Sequence, residues 1–218
     1  LAEETGLILP LGTWMLEHAL AQLQEWRRII PAAQDLWVAV NISPRQLTDP
    51  DFIHKVSRAL AESGVPPDNL HLEITETAVM RSLDVSTSAL DALRDLGVHL
   101  IIDDFGTGYS SLARLKRLPV TALKVDRSFV DGLGRDSSDL SIVDAIVKMA
   151  DSLALGVIAE GVETLEQLEI LQSLGTPMGQ GYLWSRALPA SGLATWLRSV
   201  PLHEHFSELE DFTGQLQA

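Results

Sequence analysis

The 218-residue chain contains no cysteine. That excludes a disulfide framework, thiolate zinc sites, iron–sulfur clusters and a cysteine nucleophile, and with them the zinc-deaminase signature. It leaves the compartment open. Basic residues are scarce: 16 Lys plus Arg stand against 30 Asp plus Glu, for a formal net charge of −14. A sequence pI near 4.7 argues against a general binder of nucleic-acid polymers and against polybasic docking to a membrane. An anionic ligand stays open, because bound metal ions invert the local field. Long apolar runs are missing too: the longest candidate, residues 96–102, is broken by His99 and stopped by Asp103, far short of the roughly 18–20 residues of a membrane span. The opening residues Leu1-Ala2-Glu3-Glu4 carry no positive n-region and are not expected to act as a signal peptide. They also lack an initiator methionine, and the native protein is expected to be longer.

What remains is one domain's worth of alternating elements. Short runs rich in Val, Ile and Leu predict strands at 36–41, 70–75, 98–103, 121–126, 156–160 and 179–183. Helical spacing predicts helices at 14–26, 52–61, 86–96, 139–153 and 165–174. Strands alternating with helices mean an α/β fold with a parallel sheet. Residues 1–200 are expected to form this domain. Residues 201–218 are an acidic tail without Lys or Arg, either a last amphipathic helix or a frayed end.

Each strand candidate carries a residue with a metal-capable oxygen or a charge: Asn41, Glu73, Asp103 followed by Asp104, Lys124, Glu160 and Gln180. Successive strand residues face opposite sides, so Asn41 shares a face with Ala39 and Trp37, Glu73 with His71 and Thr75, Asp103 with Ile101, and Lys124 with Ala122. In a closed barrel such faces converge at the carboxyl ends of the strands, where barrel active sites sit. An open doubly wound sheet would use a crevice between two strands, and six contributing strands suit a barrel better. Carboxylates and an amide oxygen are hard ligands, so magnesium or manganese is expected rather than zinc or copper. Asp103 and Asp104 are adjacent, so their side chains diverge if the strand continues through both. Such a pair could serve two ions, the arrangement that supports phosphoester hydrolysis. Lys124 among carboxylates could orient water, neutralise a phosphoryl oxygen or simply form a structural ion pair.

With these residues the chain resembles the EAL-domain family of bacterial cyclic di-GMP phosphodiesterases. The resemblance runs from Leu1 to about Pro189 and rests on seven motifs in order: 1–8 (LAEETGLI), 41–47 (NISPRQL), 72–76 (LEITE), 103–112 (DDFGTGYSSL), 123–126 (LKVD), 159–164 (AEGVET) and 180–183 (QGYL). It implies a (β/α)8 barrel of TIM type with one antiparallel strand, and hydrolysis of cyclic di-GMP to linear pGpG with two Mg2+ or Mn2+ ions. By the same resemblance Asn41, Glu73 and Asp103 are ligands of the first metal and Asp104 of the second. Glu160 is a metal-site acid that helps activate water, with Lys124 beside it. Glu76 anchors the loop after Asp104, and Glu163 and Gln180 support the metal-bound water or the substrate. Ser43 and Arg45 are substrate contacts. The loop 105–112 resembles a lid that couples homodimer packing to the metal site. An upstream sensory or cyclase domain and a cytoplasmic location, as a free protein or as part of a membrane-anchored one, are implied as well. The Glu-Ala-Leu strand that names the family is not in these residues and is expected before Leu1, so the N-terminal strands of the barrel should be missing here.

Two other readings stay beside this one. An inactive EAL domain would bind cyclic di-GMP without cutting it. An aldolase would use Lys124 as a Schiff base, but a lysine among carboxylates keeps its proton, which disfavours that chemistry. His203-Glu204-His205 lacks the i, i+4 spacing of zinc proteases and reads as solvated. His71 and His99 read as satisfied interior residues, and Trp14, Trp26 and Trp37 as core packing. Asp126 is either a structural partner of Arg127 or the following turn, or a site residue.

Overall fold

A computed structural model describes residues 1–81, 85–108, 112–176 and 178–199. Its sheet contains β1 (Val38–Asn41), β2 (Leu70–Thr75), β3 (His99–Phe105), β4 (Ala122–Val125), β5 (Gly156–Glu160) and β6 (Met178–Gln180). Two helices, α1 (Ala2–Thr5) and α2 (Ile8–Ile29), precede β1. The crossovers carry α3 (Pro44–Leu47), α4 (Phe52–Ser63), α5 (Glu76–Arg81), α6 (Val85–Asp95), α7 (Leu112–Leu115), α8 (Arg127–Val130), α9 (Ser137–Ser152) and α10 (Leu165–Ser173), and α11 (Ala190–Ser199) follows β6.

Every neighbouring strand pair is parallel, and the strand order follows the chain from β1 to β6 without reversal. A doubly wound sheet must reverse its order at a switch point; this sheet has none. Right-handed crossovers taken always in the same direction place the helices on one side and curl the sheet into a TIM-like barrel wall. Among the described residues β1 and β6 each pair on one side only, and the antiparallel strand implied by the resemblance is not among the six.

The two faces separate by strand period. Leu72, Ile74, Leu100, Ile102, Leu123, Val125 and Val157 face outward into the main core, where Leu16, Leu20 and Leu23 of α2 and Val56 and Leu60 of α4 pack with them. The inward face carries a small apolar floor of Ile101, Ala122 and Ile158, with Met178 against it. Above that floor lie the polar residues predicted from sequence. At the amino end of the sheet His71 stacks on Trp37 at 4.1 Å and meets His99 edge-on at 4.8 Å.

Several boundaries differ from expectation for physical reasons. Helix α2 begins at Ile8, six residues before the predicted start. Pro10 falls in its first turn, where an amide would have no intrahelical partner. Trp14 is not core: it is 50% exposed and leans on His18. The strand at 98–103 continues to Phe105 and the one at 179–183 ends at Gln180. His71 is interior, yet its Nδ1 has no hydrogen-bond partner. The predicted tail, 201–218, and residues 109–111 of the predicted lid lie outside the described residues.

Burial, followed by the neighbouring His99, pulls the His71 pKa down to about 3. Between that value and the unfolded value near 6.5, only the unfolded chain binds the proton, so stability falls as pH drops through this window. From pH 7 to pH 5 this one group is expected to cost about 2 kcal/mol. Denaturant unfolding of wild type and His71→Phe at both pH values checks it: the variant should lose about that much less. Parallel pH profiles would contradict the assignment.

Candidate metal centre

Register brings the polar inward residues to one height. Asn41 lies opposite Glu73, Thr75 opposite Asp103, and Glu160 opposite Gln180. At the centre stands Lys124, whose side chain is only 4% exposed. Its ammonium donates to Glu73 Oε2 at 2.9 Å, Asp103 Oδ1 at 3.1 Å and Glu160 Oε1 at 2.5 Å. Three strands besides its own thus converge on one nitrogen.

Burial alone would pull the Lys124 pKa down, but the hydrogen bonds and charges of Glu160 and Glu73 outweigh it and hold the pKa above its ordinary value. Burial also raises the pKa of Glu73 and Glu160 despite the ammonium between them. A single buried cation is shared by several carboxylates: their bonds and charges raise the lysine, while their own burial outweighs its pull on them. A Schiff-base role for this lysine does not fit a raised pKa.

Asp104 adds to the imbalance. A regular strand would point it away from Asp103, as expected from adjacency. Instead the β3–β4 register breaks between Ile102 and Phe105, and Asp104 adopts φ 54. This left-handed residue turns the carboxylate back, so that one oxygen each from Asp103, Asp104 and Glu160 lies within 4.8 Å of the others. Burial raises the Asp104 pKa, followed by the charges of Asp103 and Asp126. Four carboxylates now face one ammonium. Their hard oxygens and unbalanced charge fit a divalent cation.

The surrounding residues hold this geometry. Glu76, 1% exposed, accepts hydrogen bonds through Oε2 from the amides of Gly106 at 2.9 Å and Gly108 at 3.2 Å. A Cβ at Gly108 would lie 2.7 Å from Glu76 Oε1, so the loop approaches this closely only as glycine. Asp126 caps α8 by accepting from the Ser128 amide, which places it structurally, while its charge still reaches Asp104. Glu163 is paired with Arg127 at 2.8 Å, and Arg127 also reaches Asp131 at 3.1 Å. Arg127, Glu160, Glu163, Gln180 and Tyr182 line a hollow of about 190 Å³.

Asn41 is exposed at the end of β1, beside an apolar groove of about 790 Å³ that runs along α2. The groove takes in Asn41 and Ser43 but none of the carboxylates around Lys124. Ser43 forms a capping box with Gln46 at the start of α3, and the Arg45 guanidinium donates to the Glu3 carbonyl. These two residues therefore have local work in the fold. Arg127 was absent from the predicted set. Its sequence signal, an arginine directly after the strand that carries Lys124, is weak without knowledge that Glu163 folds against it.

Comparison with known proteins identifies the family. The EAL-domain family model matches residues 1–187. The bifunctional diguanylate cyclase/cyclic di-GMP phosphodiesterase MucR of Pseudomonas aeruginosa is 45% identical over 193 residues, covering 88% of this chain and 28% of MucR. The cyclic di-GMP phosphodiesterase NbdA of the same organism is 44% identical, covering 91% of this chain and 25% of NbdA. The chain thus spans about a quarter of the length of these relatives. The structure of the MucR phosphodiesterase in complex with c-di-GMP superposes with a TM-score of 0.83 at 44% identity, over 88% of this chain and 77% of that one. A manganese and cyclic di-GMP complex of BlrP1 from Klebsiella pneumoniae superposes with a TM-score of 0.74 at 34% identity, over 82% of this chain and 44% of that one. From its strand order, its carboxylate centre and these matches, the chain belongs to the EAL domain family.

Proposed function

We propose that this domain hydrolyses one phosphodiester of cyclic di-GMP to give linear pGpG, using two Mg2+ or Mn2+ ions. The observation that carries this reading is the buried Lys124 ammonium facing an excess of carboxylates at the carboxyl edge of the sheet. Similarity to the MucR complex with c-di-GMP supports the substrate.

Asp103, Asp104 and Glu160 would hold the cations, with Glu73 and Asn41 completing the set. When bound, such ions lower the pKa of a water and neutralise phosphoryl charge. Lys124 is a donor fixed by three acceptors, placed to orient that water or to meet a phosphoryl oxygen. Glu160, at the cation site and bonded to Lys124, would help activate the water. Glu163, steered by Arg127, and Gln180 line the adjacent hollow as supports of water or substrate. Ser43 and Arg45 would meet the nucleotide from the β1 side. Glu76 keeps the Gly106–Gly108 backbone in place. A homodimer through the lid region, an upstream sensory or cyclase domain and a cytoplasmic setting complete the proposal.

Turnover measured by chromatography tests the reading. Product pGpG is expected with Mg2+ or Mn2+ and not with Ca2+. Lys124→Ala and Glu160→Ala are each expected to lower kcat at least about 100-fold while the fold persists. Binding without product under every metal would instead mark a receptor.

Lys124→Met leaves the carboxylates without their internal cation. In metal-free buffer at pH 8 it is expected to cost about 3–5 kcal/mol of stability. The loss should shrink at pH 5, as Glu73 and Glu160, whose pKa values burial raises, take up protons. It should also shrink with added Mn2+. Denaturant unfolding under the three conditions checks this, and an equal loss in all three would contradict it.

A further inference from the structure

The backbone after Asp104 is anchored first by Phe105, buried in the main core and paired with Val125, and beyond it the turn consists of Gly106, Thr107 and Gly108. Asp104 and Gly106 have φ of 54 and 102, so two residues of this stretch sit in the left-handed region. The Asp104 carbonyl accepts from Thr107 Oγ1 at 2.9 Å, which ties the turn to itself. From below, the Glu76 carboxylate holds the Gly106 amide. From the other side comes a group with no role so far: the ring of Phe129. A Cβ at Gly106 would lie 2.8 Å from Phe129 Cε2, 3.3 Å from its Cζ and 3.4 Å from Ile146 Cδ1. Phe129 packs against the main core, beside the fully buried Val130 of the same short helix. That helix starts at the Asp126 cap, two residues after Lys124, so one chain segment supplies both the central ammonium and this ring.

We infer that Phe129 is a positioning residue for the metal centre: its ring clamps Gly106 onto the Glu76 carboxylate and thereby fixes the reversed backbone that turns Asp104 toward Asp103 and Glu160. The inference rests on the proposed metal-dependent reading for its consequence, but its geometry can be tested without turnover. Removing a ring of this kind leaves the outward core side chains of β2 and β4 in place. What it frees is the glycine turn beyond Phe105, where the Glu76 carboxylate and the Thr107 bond to the Asp104 carbonyl are left to hold it. Metal affinity should follow, because residues that orient ligands without touching the ion commonly change affinity by about 10–100-fold.

Amide hydrogen exchange on the metal-free full chain reads the clamp directly. In Phe129→Ala the Gly106 and Gly108 amides should exchange at least about tenfold faster, while β2 and β4 amides keep their wild-type rates. Mn2+ binding by calorimetry should weaken about tenfold, and KM for the nucleotide at saturating metal should change little. Phe129→Leu should fall between the two. If Phe129→Ala does not fold, Phe129→Leu and Gly106→Ala carry the test with the same local signature. Unchanged Gly106 and Gly108 exchange would overturn the inference. So would acceleration spread evenly over β2, β3 and β4, since the ring would then be core mass only. Absence of turnover in the wild type would count against the phosphodiesterase reading instead, and leave the exchange result to decide on Phe129.

Discussion

The structure depends on one buried ammonium. Lys124 sits on β4 with carboxylates from β2, β3 and β5 around it, each within hydrogen-bond distance. Burying a carboxylate without a partner costs several kcal/mol, so this arrangement is tolerable only because the cation is there. It is also unbalanced, because Asp104 adds another negative group within reach of Asp103 and Glu160. An apolar core alone would never bring these groups together. The outward half of each strand provides the apolar burial that makes the inward half affordable.

Geometry turns that imbalance into a site. Parallel strands in chain order bring their carboxyl ends to one edge, and the side chains that end the apolar runs share one face. The Asp104 reversal then converts a pair of neighbours that would diverge into a pair that converges. Glu76 holds the backbone beyond it by two amides. Arg127 does a parallel service on the opposite flank by fixing Glu163. A divalent cation entering here would meet oxygens already gathered, with Lys124 to keep them in place before it arrives.

Much of this was legible from residue order. Strand period groups Glu73 with His71, Asp103 with Ile101 and Lys124 with Ala122, because alternation follows from the pleat, and the barrel then turns these faces toward one another. The apolar runs gave the first five strands to within two residues, while the sixth ends three residues earlier than its run. Other features depend on tertiary contacts that no short window contains. Nothing in the pair Asp103-Asp104 announces a left-handed second residue; the loop closing onto Glu76 creates it. Ser43 and Arg45 are substrate contacts by the resemblance; the Ser43 capping box with Gln46 is local to α3, whereas the Arg45 bond to the Glu3 carbonyl exists only because α1 folds back beside it. Trp14 has the size of a core residue but sits on the face of α2 that no described element covers. The length of α2 was hidden by Pro10, whose effect depends on where a helix starts.

The most direct measurement is a crystal structure of the metal-free protein soaked in Mn2+, with data collected near the manganese absorption edge. Anomalous density is expected at the carboxylate cluster, coordinated by oxygens of Asp103, Asp104 and Glu160, with the Lys124 ammonium displaced from at least one of its three partners. A well-ordered Asp103–Asp104–Glu160 cluster with no anomalous density, at a manganese concentration that labels the protein elsewhere, would contradict the claim that this charge imbalance is a cation site.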